Sequence, residues 1–83
     1  MVLEKNADKR KPTDELLNTL AKNVRRLRKG NDFTQEVLGE KCDFHPTFIS
    51  LIERKQRNVT ISTLEIIANA LDVKPSELLQ ESE

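Results

Sequence analysis

The residues of this chain that could do chemistry crowd into one stretch, Thr34 to Thr60. Thr47 and Ser50 bring hydroxyls, Leu51 a branched apolar group, and Arg54, Lys55 and Arg57 three cations. At helical spacing Thr47, Ser50, Leu51 and Arg54 fall on one side, and Phe48, Ile49 and Ile52 on the other. The first side is small and uncharged until Arg54. A face of this kind can come close to nucleobase edges. Hydroxyls bond to several of those edges, a threonine methyl or a leucine meets the thymine methyl, and an arginine fork matches guanine. Read from the residues alone, a plain exposed helix surface explains Thr47 and Ser50 about as well.

Other chemistries find little support. His45 is the only histidine and Cys42 the only cysteine. The first reads as a helix-start residue and the second as a small buried hydrophobe. The chain has no nucleophile–base pair, no zinc-ligand spacing and no phosphate-cradling glycine loop. No enzyme, metal site, cofactor or small-molecule ligand is expected.

A chain of 83 residues makes one small domain with a modest core, which oligomerisation would help. A single cysteine leaves no disulfide framework and suits a reducing cytoplasm. The first six residues have no apolar run, so no signal peptide is expected, and no stretch reaches the length of a membrane span. The formal net charge of zero argues mildly against a nucleic-acid binder. Its distribution argues the other way. Residues 1–30 carry nine Lys and Arg against four acids, and residues 59–83 carry Lys74 against five acids. A chain polarised in this way can turn a basic face to phosphate and an acidic face to solvent.

The elements that must hold these residues all read as helices. Residues 1–12, with Lys9-Arg10-Lys11 before Pro12, are expected to form a flexible basic arm able to touch a DNA backbone or minor groove. Helix 1 is expected from Asp14 to Lys29, capped by Thr13 and stopped by Gly30, with Leu16, Leu20, Val24 and Leu27 as its buried stripe. Lys22, Arg25, Arg26 and Lys29 lie off that stripe, and the last-turn cations complement the helix dipole. Helix 2 begins after Thr34, with Phe33 stapled onto Leu38, and ends near Cys42. Leu38, Gly39 and Cys42 should face the core. Glycine inside a helix costs about 1 kcal/mol relative to alanine, so Gly39 signals a close crossing. Asp43 suits a left-handed turn. Helix 3 begins near His45, with Pro46 in its first turn. Thr60 caps helix 4, where Ile61, Leu64, Ile67, Ala68 and Leu71 keep the helical period. A short helix from Pro75 to Leu79 follows, and residues 81–83 should fray.

Four segments come in order: Val24-Arg25-Arg26-Leu27-Arg28, Thr34-Gln35-Glu36-Val37-Leu38, Phe48-Ile49-Ser50-Leu51-Ile52-Glu53-Arg54, and Thr63-Leu64-Glu65-Ile66-Ile67-Ala68-Asn69-Ala70-Leu71. Over roughly residues 20 to 80 the chain thereby resembles the phage-repressor-like (Xre-type) helix-turn-helix family. The resemblance implies an all-α, five-helix DNA-binding domain over residues 13–80. It implies a transcriptional regulator acting as a homodimer on a palindromic double-stranded operator. The string Glu53-Arg54, Arg57-Asn58, Thr60 and Thr63-Leu64-Glu65 also looks like the controller proteins of restriction–modification systems, though free-standing repressors share it. An antitoxin or other protein-interaction module on the same fold is the alternative.

The resemblance places base reading on Thr47, Ser50 and Leu51 of helix 3, and on Arg57 in the loop beside the groove. It implies phosphate contacts from Thr34, Gln35, Arg54, Asn58 and Thr60, with Lys55 and Gln56 as weaker candidates. Free N–H groups at the starts of helices 2 and 4 suit that role. In relatives the positions of Arg28 and Glu53 form an ion pair tying helix 1 to the end of helix 3. The chain departs from the family at Gly39, where alanine is usual, and at Asp43, where glycine is usual. It also departs at Val37, usually polar, and at Pro46, which replaces a long polar reader. A two-fold dimer would read two half-sites about one helical turn apart. Surplus apolar residues after helix 3, Ile66 and Leu79, are the expected contact.

Overall fold

The computed structural model describes residues 14–81. The expected arm at residues 1–12, the Thr13 cap and the last two residues of the tail lie outside them. Among the described residues there are five helices and no strand: α1 (Asp14–Gly30), α2 (Gln35–Cys42), α3 (Pro46–Glu53), α4 (Ile61–Ala70) and α5 (Pro75–Leu78).

α1 buries Leu20, Ala21 and Val24 and turns Lys22, Arg25, Arg26 and Lys29 to solvent. Leu16, expected in the buried stripe, is 48% exposed. The first turn of α1 reaches past the core, and Leu16 lines an apolar groove with Ile61 and Leu79. α1 ends at Gly30, where the sequence places its stop. The left-handed turn falls two residues on, at Asp32, with a φ of 58°. The Phe33 N–H then closes the end by donating to the Arg28 carbonyl at 3.0 Å.

The same device ends α2, α3 and α4. Asp43, Lys55 and Asp72 have φ of 59°, 63° and 59°. Aspartate tolerates this region because its short side chain can bond locally. Lysine has no such relief, so Lys55 holds its conformation at a cost of roughly 1–2 kcal/mol.

The core joins all five helices: Leu20 and Val24 from α1, Leu38 and Cys42 from α2, Ile49 and Ile52 from α3, Leu64, Ile67 and Ala68 from α4, and Leu78 from α5, with Leu71 at the end of α4. Ile61 was expected among them. It is 82% exposed, because the first turn of α4 stands clear of the core. The last helix ends at Leu78 rather than Leu79. Its end is latched by Asn23 of α1, which is 1% exposed. The Asn23 Nδ2 donates to the carbonyls of Leu78 at 2.9 Å and Gln80 at 2.8 Å, while its Oδ1 accepts from Arg26 at 3.2 Å. A buried amide so fully bonded adds stability and fixes one arrangement of α5. No helix of the described residues is long and apolar enough to cross a membrane.

Candidate nucleic-acid interface

Three local contacts set the angle between α2 and α3. Thr34 caps α2, its Oγ1 accepting from the Val37 N–H at 3.0 Å. The left-handed Asp43 reverses the chain, and the Phe44 N–H donates back to the Gly39 carbonyl at 2.8 Å. His45 caps α3, its Nδ1 accepting from the Thr47 N–H at 3.1 Å, with Pro46 following in the first turn. Gly39 sits where the turn passes closest. A Cβ there would meet the Phe44 carbonyl oxygen at 2.7 Å and the Pro46 nitrogen at 3.3 Å.

α3 is thereby seated with Ile49 and Ile52 sealed in the core. Thr47 and Arg54 are exposed on its other side, and Ser50 and Leu51 are half-buried beside them. Thr34, Gln35, Glu36, Pro46, Thr47 and Ser50 line an open cleft of about 690 Å³ with Arg28. The N-terminus of α2 and the outer face of α3 therefore share one concave surface. The first N–H groups of a helix have no partner within it and point outward, as an anionic oxygen requires. Glu36 also lines this cleft, an acid that no pattern in the sequence singles out.

Beneath the cleft lies an ion pair. The Arg28 Nε donates to Glu53 Oε2 at 2.7 Å and its Nη2 to Oε1 at 3.0 Å. Its Nη1 donates to the Phe33 carbonyl at 2.8 Å. The two side chains are 11% and 4% exposed. The hydrogen bond to Glu53 pushes Arg28 above its ordinary pKa; burial opposes this, and the attraction of the carboxylate charge adds to it. Gln35 belongs to the same cluster, its Nε2 donating to Glu53 Oε1 at 3.2 Å. One of its two amide hydrogens is thus committed to Glu53. The other, with the backbone N–H, is what Gln35 can offer an external anion.

Past α3, Gln56 closes the helix, its N–H donating to the Leu51 carbonyl at 2.8 Å. Lys55, Arg57, Asn58 and Thr60 are exposed. The Arg57 guanidinium carbon lies 5.8 Å from the centre of the Phe48 ring. The helical period places Phe48 only in the core and gives no sign of this contact, which joins residues nine apart across a helix end. Thr60 caps α4, its Oγ1 accepting from the Thr63 N–H at 3.1 Å. Asn58 and Thr60 also edge an apolar groove of about 190 Å³ lined by Leu16, Leu20, Ile61 and Leu79. Leu79 is 37% exposed there, whereas Ile66, 40% exposed on α4, does not line it. Burial pushes the Cys42 thiol above its ordinary pKa. Among the described residues no His, Cys, Asp or Glu are grouped as metal ligands.

Two short helices set by a three-residue turn, the second sealed on one side and open on the other, define a phage-repressor-like helix-turn-helix DNA-binding domain. Residues 24–78 match the family described as helix-turn-helix. Over 65 residues the chain is 46% identical to the control protein C.SmaI of Serratia marcescens, covering 78% of this chain and 77% of that one. The crystal structure of a hypothetical transcription factor, NHTF from Neisseria, is similar with a TM-score of 0.77 and 36% identity, covering 83% of this chain and 80% of that one. The restriction-modification controller protein C.AhdI from Aeromonas hydrophila is similar with a TM-score of 0.72 and 32% identity, covering 75% and 94%. The chain belongs to the helix-turn-helix family of the Xre type. It is a transcriptional regulator and not an enzyme.

Proposed function

We propose that the chain works in the cytoplasm as a homodimer on a palindromic double-stranded operator, as the controller of a restriction–modification system. One observation carries this reading: α3 is locked inward by Ile49 and Ile52 and turns Thr47 and half-buried Ser50 into a cleft shared with the N-terminus of α2, with half-buried Leu51 on the same side of the helix. In that reading α3 enters the major groove. Thr47 and Ser50 bond to base edges, Leu51 meets a thymine methyl, and Arg57 takes a guanine. Thr34, Gln35, Arg54, Asn58 and Thr60 hold phosphates on either side and set the register. Pro46 leaves the start of α3 without a long polar reader, so hydroxyl and methyl contacts carry more of the selectivity. The controller role is supported by the likeness to C.SmaI and C.AhdI.

The second copy is proposed to seat on the apolar groove beside Asn58 and Thr60. That groove is continuous with the loop that follows α3. A copy placed there would set two α3 helices side by side on one face of a duplex. Leu79 belongs to this contact and Ile61 joins it, whereas Ile66 lies outside the groove.

Selection of bound duplexes from random DNA tests the reading. A two-fold symmetric site is expected, with affinity falling steeply as salt rises. Thr47→Ala should weaken binding to that site and relax the preference at one base pair per half-site. An unchanged affinity and preference would overturn the assignment.

A further inference from the structure

We propose that Phe48 is a positioning residue for Arg57, holding its guanidinium against the flank of α3 where it reads a guanine edge. The inference rests on the reading of Arg57 as a base contact. It follows from how differently two of the arginines around α3 are held. Arg28 is fixed by its donors, which go to Glu53 and to the Phe33 carbonyl. Such a group has little left for a ligand. Among the described residues Arg57 makes no ion pair, and its one partner there is the Phe48 ring, 5.8 Å away. An aromatic ring attracts a cation through its π electrons rather than through hydrogen-bond acceptors. The five N–H donors of Arg57 therefore stay free while the group is restrained.

The ring is itself restrained. Phe48 is half-buried and packs edge-on against Phe44, with centroids 5.1 Å apart and planes at 76°. Phe44 lies in the turn between α2 and α3, against the core. A chain of contacts thus runs from the turn through Phe44 and Phe48 to Arg57. At helical spacing Phe48 flanks Leu51, at the edge of the outward face. Arg57 lies in the exposed loop after α3, yet it is returned to the side of that helix. A free arginine loses rotamer entropy on binding, and a restrained one loses less. Discrimination at one base pair, rather than affinity for phosphate in general, is what such a restraint serves.

The test uses the full chain and a duplex selected from random DNA by that chain, with each base pair replaced in turn. Arg57→Ala should lower discrimination at one guanine per half-site by roughly 5- to 150-fold. Phe48→Leu keeps an apolar side chain and should lower discrimination at that same base pair about two- to fivefold. Phe48→Tyr should retain it, and Phe48→Leu should do nothing more once Arg57 is alanine. In the free protein, ring currents should shift the Arg57 side-chain protons upfield, and Phe48→Leu should abolish that shift. A Phe48→Leu effect spread evenly over all base pairs, or Arg57 protons without a ring-current shift, would overturn the positioning role. If the shift is present but Arg57→Ala weakens every sequence equally and lowers the salt slope, Arg57 is a phosphate clamp. Both the base-contact reading and the role built on it would then fall.

Discussion

Arg28 and Glu53 are joined by two hydrogen bonds, 2.7 and 3.0 Å long, between the last turn of α1 and the last residue of α3. The pair fixes the far end of the helix whose near end is capped by His45. Because both side chains are nearly buried, removing one charge strands the other. Glu53→Gln should lower the unfolding free energy by about 3–5 kcal/mol in urea denaturation. The double variant Arg28→Met with Glu53→Leu should recover most of that loss, since a buried pair gains little over well-packed apolar groups. A Glu53→Gln protein as stable as wild type would show that the pair does not lock the helix.

Gly39→Ala tests the close approach inside the helix-turn-helix. Helix propensity alone predicts a gain of about 1 kcal/mol. The new methyl would stand 2.7 Å from the Phe44 carbonyl oxygen, and backbone cannot swing away as a side-chain tip can. Overpacking of this kind costs typically 1–3 kcal/mol. The expected outcome is a lower melting temperature and weaker DNA binding, because relief of the clash must tilt α3. A stabilised Gly39→Ala variant would mean that the turn has room to move.

Cys42 sets an alkaline limit. Burial raises its folded pKa above the unfolded value near 8.5. Between those two values the folded state holds the proton that the unfolded state has released. Stability is therefore full below about pH 8.5 and falls as pH rises towards the folded value. Cys42→Ala should be less stable at pH 7 through lost packing, yet show a flatter decline above about pH 8.5. Parallel alkaline limbs for the two proteins would contradict this.

The groove edged by Ile61 and Leu79 should decide the oligomeric state. Ile61→Asp places a charge on an exposed side chain, so the fold should survive it. Dimer dissociation measured by sedimentation should rise at least about tenfold, as for the loss of a buried apolar anchor. Ile66→Asp should do less. The reverse order would move the contact from the groove to the outer face of α4.

The parts of this fold legible in the sequence are those governed by local rules. Thr34 and Thr60 as caps, Pro46 in a first turn and Asp43 in a left-handed turn each follow from a few neighbouring residues. The inward side of α3 followed from its period. Leu16 and Ile61 were misplaced because periodicity says which residues share a face, not how far the opposing helix extends to cover it. Gly30 marks the end of α1, but nothing local announces that the left-handed turn falls two residues on, at Asp32. The Asn23 latch spans more than fifty residues of sequence, and no local pattern announces it. The Phe48–Arg57 contact escaped for a different reason: a residue classed as core was also serving the surface.

Amide chemical shifts show most directly whether the outer face of α3 meets the duplex. An isotope-labelled chain titrated with its selected duplex should show the largest shifts at residues 34–36, 46–51 and 54–58. Ile49 and Ile52 should keep their hydrogen-exchange protection. Shifts centred on α4 and α5, with Thr47, Ser50 and Leu51 unmoved at saturation, would contradict the account.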